Sequence, residues 1–150
     1  MRGQLYEIMG KTFFTMGGAK SHDVEDEILN PADPNFHAKQ STLKRSGRNR
    51  FRVLGQSWWP EELPSDEEYY TALKTLERTN WQVDYVITHC ASTSIALSMD
   101  RHNEADHLTE FLEMVDRRLE YEYWFFGHFH DNRSVDQKHI LLWEQIVQIL

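Results

Sequence analysis

The chain of 150 residues contains a single cysteine, Cys90, so it can form no intramolecular disulfide. It also lacks any apolar run approaching the roughly 18 residues that a membrane-spanning helix needs. No charged segment followed by an apolar one opens the chain, as a secretory leader would. Together these absences predict a cytoplasmic protein that does not cross a membrane.

Positive charge is also scarce, because 16 Lys and Arg residues stand against 24 Asp and Glu, giving a formal net charge of -8. This balance argues against a general nucleic-acid binder, since Lys and Arg supply the contacts to phosphates. The distribution is uneven, however. No acidic residue occurs between Asp33 and Glu61, whereas six basic residues do: Lys39, Lys44, Arg45, Arg48, Arg50 and Arg52.

The basic residues belong to a polar segment, residues 24–57, that contains Pro31 and Pro34 and shows little periodicity. The pattern predicts a long loop with at most a helical turn near residues 26–29. One interpretation is a solvated, mobile loop. The other is a flap over an anion site, in which Arg45 and Arg48 would bind phosphate through their guanidinium groups.

The remaining patterns alternate between strands and helices. Residues 5–9 and 12–16 predict a hairpin with Gly10 and Lys11 in the turn. Ser65 and Glu68 form a capping-box pattern that predicts a helix from Asp66 to about residue 79. A second helix, capped by Asn103, is expected between the apolar runs 83–87 and 121–126. Strand, helix and strand in this order predict a layered α/β (α+β) fold.

Histidines follow each of these two apolar runs. Thr88 and His89 follow the first, and Gly127, His128, Phe129 and His130 follow the second. Gly127 is expected to let the backbone turn sharply, so that the histidines converge. Because ligands of layered α/β folds gather outside the carboxyl ends of strands, His89, His128 and His130 are predicted to form a metal site. Imidazole donors suit Zn or Mn.

A strand ending in Thr-His, a helix, and a strand ending in Gly-His-x-His resemble the closing half of the calcineurin-like metallophosphoesterase signature. This resemblance implies a β-sandwich flanked by helices with two divalent ions, Mn, Zn or Fe, between its sheets. It implies that His89 and His128 bind one ion and His130 the other. The ions of that family activate water for attack on a phosphate ester.

The family's opening motifs, Asp-x-His, Gly-Asp-x-x-Asp and Gly-Asn-His, would precede residue 5 and are absent. Residues 1–150 are therefore expected to form the C-terminal half of such a domain. Among possible replacements, His22 and Asp23 are weak catalytic candidates, and Asp100 with His102 is a poorer one because no apolar strand precedes it. His37, His107 and His139 show no arrangement and are assigned no functional role.

Three functions remain open. The first is a metal-dependent phosphoesterase, a phosphatase-like hydrolase, whose site is completed by the missing half or by self-association. The second is a non-catalytic remnant or regulatory module that needs a partner chain, and the third, less favoured, is a nuclease. A sheet left uncovered by the missing half would expose a large apolar patch, so the chain is expected to associate, with the aromatics of residues 121–126 near the contact. The patterns do not determine the phosphate-ester substrate.

Overall fold

The computed structural model describes residues 1–21, 24–99 and 104–149. The chain divides into two compact units. The first, which we call the sheet unit, comprises Met1–Ala19 and Leu63–Leu150. The second, the inserted unit, is Lys20–Glu62.

Eight strands and four α-helices are found in the described residues. In chain order they are β1 (Arg2–Ile8), β2 (Lys11–Met16), β3 (Ile28–Leu29), α1 (Phe36–Arg45), β4 (Arg52–Val53), α2 (Asp66–Arg78), β5 (Tyr85–Thr88), α3 (Thr93–Met99), α4 (His107–Arg118), β6 (Tyr123–Phe126), β7 (Arg133–Ser134) and β8 (His139–Leu141). A 3-10 turn covers Pro60–Glu62. The predicted mixed α/β class is confirmed.

The sheet unit is built on a mixed six-stranded sheet in the order β1-β2-β5-β6-β8-β7. The four central strands β2, β5, β6 and β8 run parallel to one another. At the two edges, β1 pairs antiparallel with β2 and β7 pairs antiparallel with β8. The helices α3 and α4 connect β5 to β6, as the predicted order of strand, helix and strand requires. The four parallel strands therefore end at one edge of the sheet.

The first hairpin turns one residue earlier than predicted. The last pair of the ladder is Ile8 with Lys11, so Met9 and Gly10 form the loop. Their φ values are 53° and 76°. A two-residue turn with positive φ at both residues has a twist that matches that of the flanking strands. Gly10 adopts a positive φ without steric cost.

Side-chain capping sets where the two longest helices begin. The predicted capping box is confirmed at α2, where Ser65 accepts the Glu68 N–H and the Glu68 side chain accepts the Ser65 N–H. The predicted cap of α4 at Asn103 is wrong, and Asn103 itself lies outside the described residues. The helix begins at His107, because the Asp106 carboxylate accepts the Thr109 N–H at 2.9 Å and satisfies a free amide of the first turn.

Side chains alternate between the two faces of the sheet, and the faces differ in what covers them. Phe14, Val86, Trp124 and Phe126 pack with buried residues of α2 and α4 in the main core. The opposite face carries a smaller cluster of Phe13, Tyr85 and Phe125, against which Ile140, Leu142 and Ile149 pack. The Tyr85 hydroxyl donates to the Ile149 carbonyl at 3.0 Å, so the segment after β8 covers part of this face.

The inserted unit is not the structureless loop predicted for residues 24–57. It contains α1 and a parallel pair formed by β3 and β4. Of the α1 residues only Leu43 is buried, so this helix has no apolar stripe for periodicity to detect. The unit is held in addition by ion pairs of Lys39 with Asp33, at 2.8 Å, and of Arg50 with Glu25.

None of the helices in the described part of the chain combines the length and the apolar character needed to span a membrane.

Candidate functional site

The candidate site lies at the sheet edge where the parallel strands end. His89 follows β5 directly, Gly127 and His128 follow β6, and Trp143 lies just beyond β8. Backbone hydrogen bonds continue past the strands along this edge. His89 N donates to the Met16 carbonyl at 3.4 Å, Gly127 N to the His89 carbonyl at 3.1 Å, and Leu142 N to the Phe126 carbonyl at 2.8 Å. The carboxyl-terminal edge of such a sheet is the usual place for a ligand.

The structure brings His89 and His128 together. Their ring centroids lie 5.2 Å apart, and the ring planes are inclined by 72°. The two residues come from adjacent parallel strands in which Ile87 pairs with Phe125. Their proximity therefore follows from the strand register and not from closeness in the sequence.

The turn after β6 is made by the histidines themselves. Gly127 does not have a positive φ, so the predicted role of this glycine in the sharp turn is wrong. His128 and His130 have φ values of 71° and 49°, in the left-handed region that L residues rarely adopt. A non-glycine residue in that region costs on the order of 1–3 kcal/mol, and such strain concentrates at functional sites.

The ring of His130 stacks on Trp143. The ring centroids are 5.5 Å apart and the planes are inclined by 21°. The Asn132 side-chain oxygen accepts the Trp143 N–H at 2.7 Å and the Glu144 N–H at 3.2 Å. Sequence reasoning missed Trp143 and Asn132 as site residues. The available signal was the largely apolar run of residues 139–143, which predicts a strand whose carboxyl end would meet this edge if it ran parallel.

The electrostatics favour a neutral imidazole at His89. Desolvation is the larger cause that lowers the pKa of this side chain below its usual value, and the charge of nearby His130 is the smaller. The neutral imidazole is the form that binds metal ions.

Only part of this arrangement fits a metal site. Imidazole nitrogen is a suitable donor for Zn or Mn, and the pair of His89 and His128 is compact. However, the described ranges contain no group of three His, Cys, Asp or Glu side chains that could hold a metal ion. The donor type therefore fits, whereas the number of donors falls short of the usual coordination shell of about four.

The predicted phosphate-binding residues Arg45 and Arg48 belong to the inserted unit. Arg45 is the last residue of α1, and Arg48 follows it, both exposed in the inserted unit. The Arg45 Nε donates to the Ser41 carbonyl at 3.3 Å. A phosphate-binding role of Arg45 and Arg48 stays a prediction. His22, Asp23, Asp100 and His102 lie outside the described residues.

His139, to which the sequence assigned no functional role, is the centre of a polar network in the structure. Its Nδ1 lies 2.8 Å from the Asp136 carboxylate and its Nε2 lies 3.2 Å from that of Asp116. The Tyr121 hydroxyl lies 3.0 Å from the same Nε2 and donates to Asp116 at 2.5 Å. Burial is the largest influence on the His139 pKa and lowers it, but the bonds to Asp116 and Asp136 outweigh burial, so the pKa is raised.

Comparisons of the chain with known protein families, with curated proteins and with solved structures find no match.

Proposed function

We propose that this chain contributes the histidine ligands of a metal-dependent phosphoesterase site. The observation that carries the proposal is the pair of His89 and His128. Their ring centroids lie 5.2 Å apart, just beyond the ends of two adjacent parallel strands. The left-handed backbone at His128 and His130 supports it, because strain of this kind needs a compensating gain. The order of the motifs along the chain, which resembles the calcineurin-like metallophosphoesterases, supplies the reaction class.

Under this proposal His89 and His128 hold one divalent ion and His130 contacts a second, with Mn, Zn or Fe as candidates. Such ions, when bound, supply an acidified water and neutralise charge on the phosphoryl oxygens. The chain's own contribution is to hold the imidazoles at a rigid sheet edge and to favour the neutral form of His89.

Further donors must come from outside the three histidines, and we propose that a second polypeptide segment brings them. The sheet face opposite the helices offers a place for it, because Ile87 and Tyr123 on that face are 42% and 41% exposed. A second sheet packed there would complete the β-sandwich that the resemblance implies. The segment is either the family's N-terminal half on another chain or a second copy of this chain.

Hydrolysis of an aryl phosphate with Mn²⁺ or Zn²⁺ tests the proposal. We expect little activity from the purified chain, because an incomplete ligand set does not position or acidify the water. Activity should appear on co-expression with a polypeptide that carries Asp-x-His and Gly-Asn-His motifs, and His128→Ala should abolish it. Robust hydrolysis by the pure chain that His128→Ala abolishes would show that a different ligand set completes the site. Activity that survives His128→Ala would refute the proposal.

A non-catalytic, regulatory role is the second candidate. The observation that favours it is the absence of a three-residue metal group in the part of the chain that the structure describes. A regulatory module would bind metal weakly or not at all and would gain no activity in the co-expression experiment. The same measurements therefore distinguish the two functions.

A further inference from the structure

We propose that Trp143 is a positioning residue that fixes the orientation of the His130 imidazole. The expected effect of Trp143 on metal binding rests on the proposed function. The ring contact itself is independent of any metal. No sequence motif pointed to Trp143, which lies beyond the end of β8 and reaches His130 only through the fold.

The stacking geometry is the first observation. The ring centroids of His130 and Trp143 lie 5.5 Å apart and the ring planes are inclined by 21°, so the two rings form a nearly parallel stack. Trp143 is nevertheless 56% exposed and belongs to neither apolar core cluster. Because a large aromatic side chain is costly to leave in water, a position with little core burial needs another explanation. The contact with His130 provides one.

The second observation is that the backbone near Trp143 is tied to the loop that carries His130. Asn132 lies two residues after His130, and its side-chain oxygen accepts the N–H groups of both Trp143 and Glu144. The Asn132 N–H in turn donates to the Asp131 carboxylate at 2.8 Å. The ring stack and these hydrogen bonds therefore connect the loop after β6 to the segment after β8 at two points.

The backbone conformation of His130 explains why such support is needed. Its φ of 49° places the residue in a narrow region, and the residue is exposed, so core packing does not hold the ring. A metal ligand must present one ring nitrogen in a defined direction. Hydrogen-bond partners that orient a ligating imidazole change metal affinity by about 10- to 100-fold when they are removed, and a stacked ring that fixes the same imidazole is expected to act at the lower end of this range. Trp143 is placed to do this for His130 by fixing the plane of its ring.

The direct test is the NMR spectrum of the metal-free protein, with the His130 ring protons assigned from the signals lost in His130→Gln. Stacking on an indole shifts these protons upfield and gives contacts with the indole protons. We expect Trp143→Ala to remove both effects and Trp143→Phe to retain them in reduced form. Trp59→Ala is the matched control, because Trp59 is 47% exposed and lies in the inserted unit. Ring protons of His130 that do not respond to Trp143→Ala would overturn the inference.

Titration with Co²⁺ provides the functional readout. Trp143→Ala should weaken binding about 10-fold, Trp143→Phe should restore most of the loss, and Trp59→Ala should have no effect. If His130→Gln weakens binding and Trp143→Ala does not, Trp143 does not position the ligand and the inference fails. If the wild-type protein binds no Co²⁺ while the NMR contacts are present, the proposed function fails and the ring positioning stands.

Discussion

The ring centroids of His89 and His128 lie 5.2 Å apart, although the two residues follow different strands that are joined by two helices. Pairing of Ile87 with Phe125 in the parallel ladder brings the ends of these strands side by side. A change in that register would separate the rings. The geometry of the candidate site therefore depends on the pairing of β5 with β6.

Metal affinity should depend on these two residues. We expect His89→Ala and His128→Ala each to weaken Zn²⁺ or Co²⁺ binding by about tenfold or more, because each removes one of few available donors. Competition with a chromogenic chelator measures the effect. His37→Ala is the control, since His37 is an exposed histidine of the inserted unit. Equal affinities of all three variants and the wild type would show that the cluster binds no metal.

Stability should depend on pH through His139. Its pKa is raised in the folded protein, so its contribution is fully present below the unfolded value of about 6.5 and is lost as pH rises through the folded pKa. The pKa values of Asp116 and Asp136 are lowered in the folded protein. Burial is the largest single influence and acts to raise these pKa values, but the hydrogen bonds to the carboxylates together outweigh burial. The contribution of these carboxylates to folding stability is present above about pH 3.9, the unfolded value, and is lost as pH falls through the folded pKa values.

His139→Gln tests this dependence by urea denaturation. The other groups facing the imidazole are Tyr121, which donates to Asp116, and Lys138, whose ammonium lies over the Tyr121 ring. We expect a loss of about 2–3 kcal/mol near pH 5, where the imidazolium is bound to its carboxylates, and a smaller loss near pH 9. His37→Gln should cause no such change. A loss that is independent of pH would mean that the pKa of His139 is the same in the folded and unfolded protein, contrary to the raised value.

The segment after β8 should stabilise the sheet by covering its second face. Ile149 packs against the cluster of Phe13, Tyr85 and Phe125, whereas Ile146, three residues earlier, is fully exposed. Ile149→Asp would place a charge against these apolar rings and should lower the free energy of unfolding by about 1–3 kcal/mol. Ile146→Asp introduces the same charge in water and should have little effect. Similar midpoints of thermal unfolding for both variants would show that the segment does not hold this face.

The exposed remainder of that face should promote association. Ile87 and Tyr123 lie on it, and apolar patches of this kind commonly mark contact surfaces. We expect sedimentation coefficients that rise with concentration, and we expect Ile87→Lys or Tyr123→Lys to suppress the rise. Tyr70→Lys is the control, because Tyr70 is an exposed aromatic residue of α2. A compact monomer at every concentration would contradict both the association and the proposal of a split domain.

Much of the local structure could be predicted from neighbouring residues alone. The start of α2 follows from Ser65 and Glu68, whose reciprocal hydrogen bonds need only a spacing of three residues. The apolar runs before His89 and His128 predicted strands, and β5 and β6 lie there. By contrast, α1 escaped prediction because it buries only Leu43 and so has no periodic apolar face.

The sequence by itself determined which residue types follow the strand ends, since each histidine adjoins an apolar run whose length and composition encode a strand. Only the tertiary structure decided which of those side chains meet. The parallel ladder places His89 beside His128, the segment after β8 brings Trp143 onto His130, and the packing of α4 against the sheet brings Asp116 to His139. These contacts join residues on separate elements, and their energies depend on register and desolvation, which local sequence patterns do not encode.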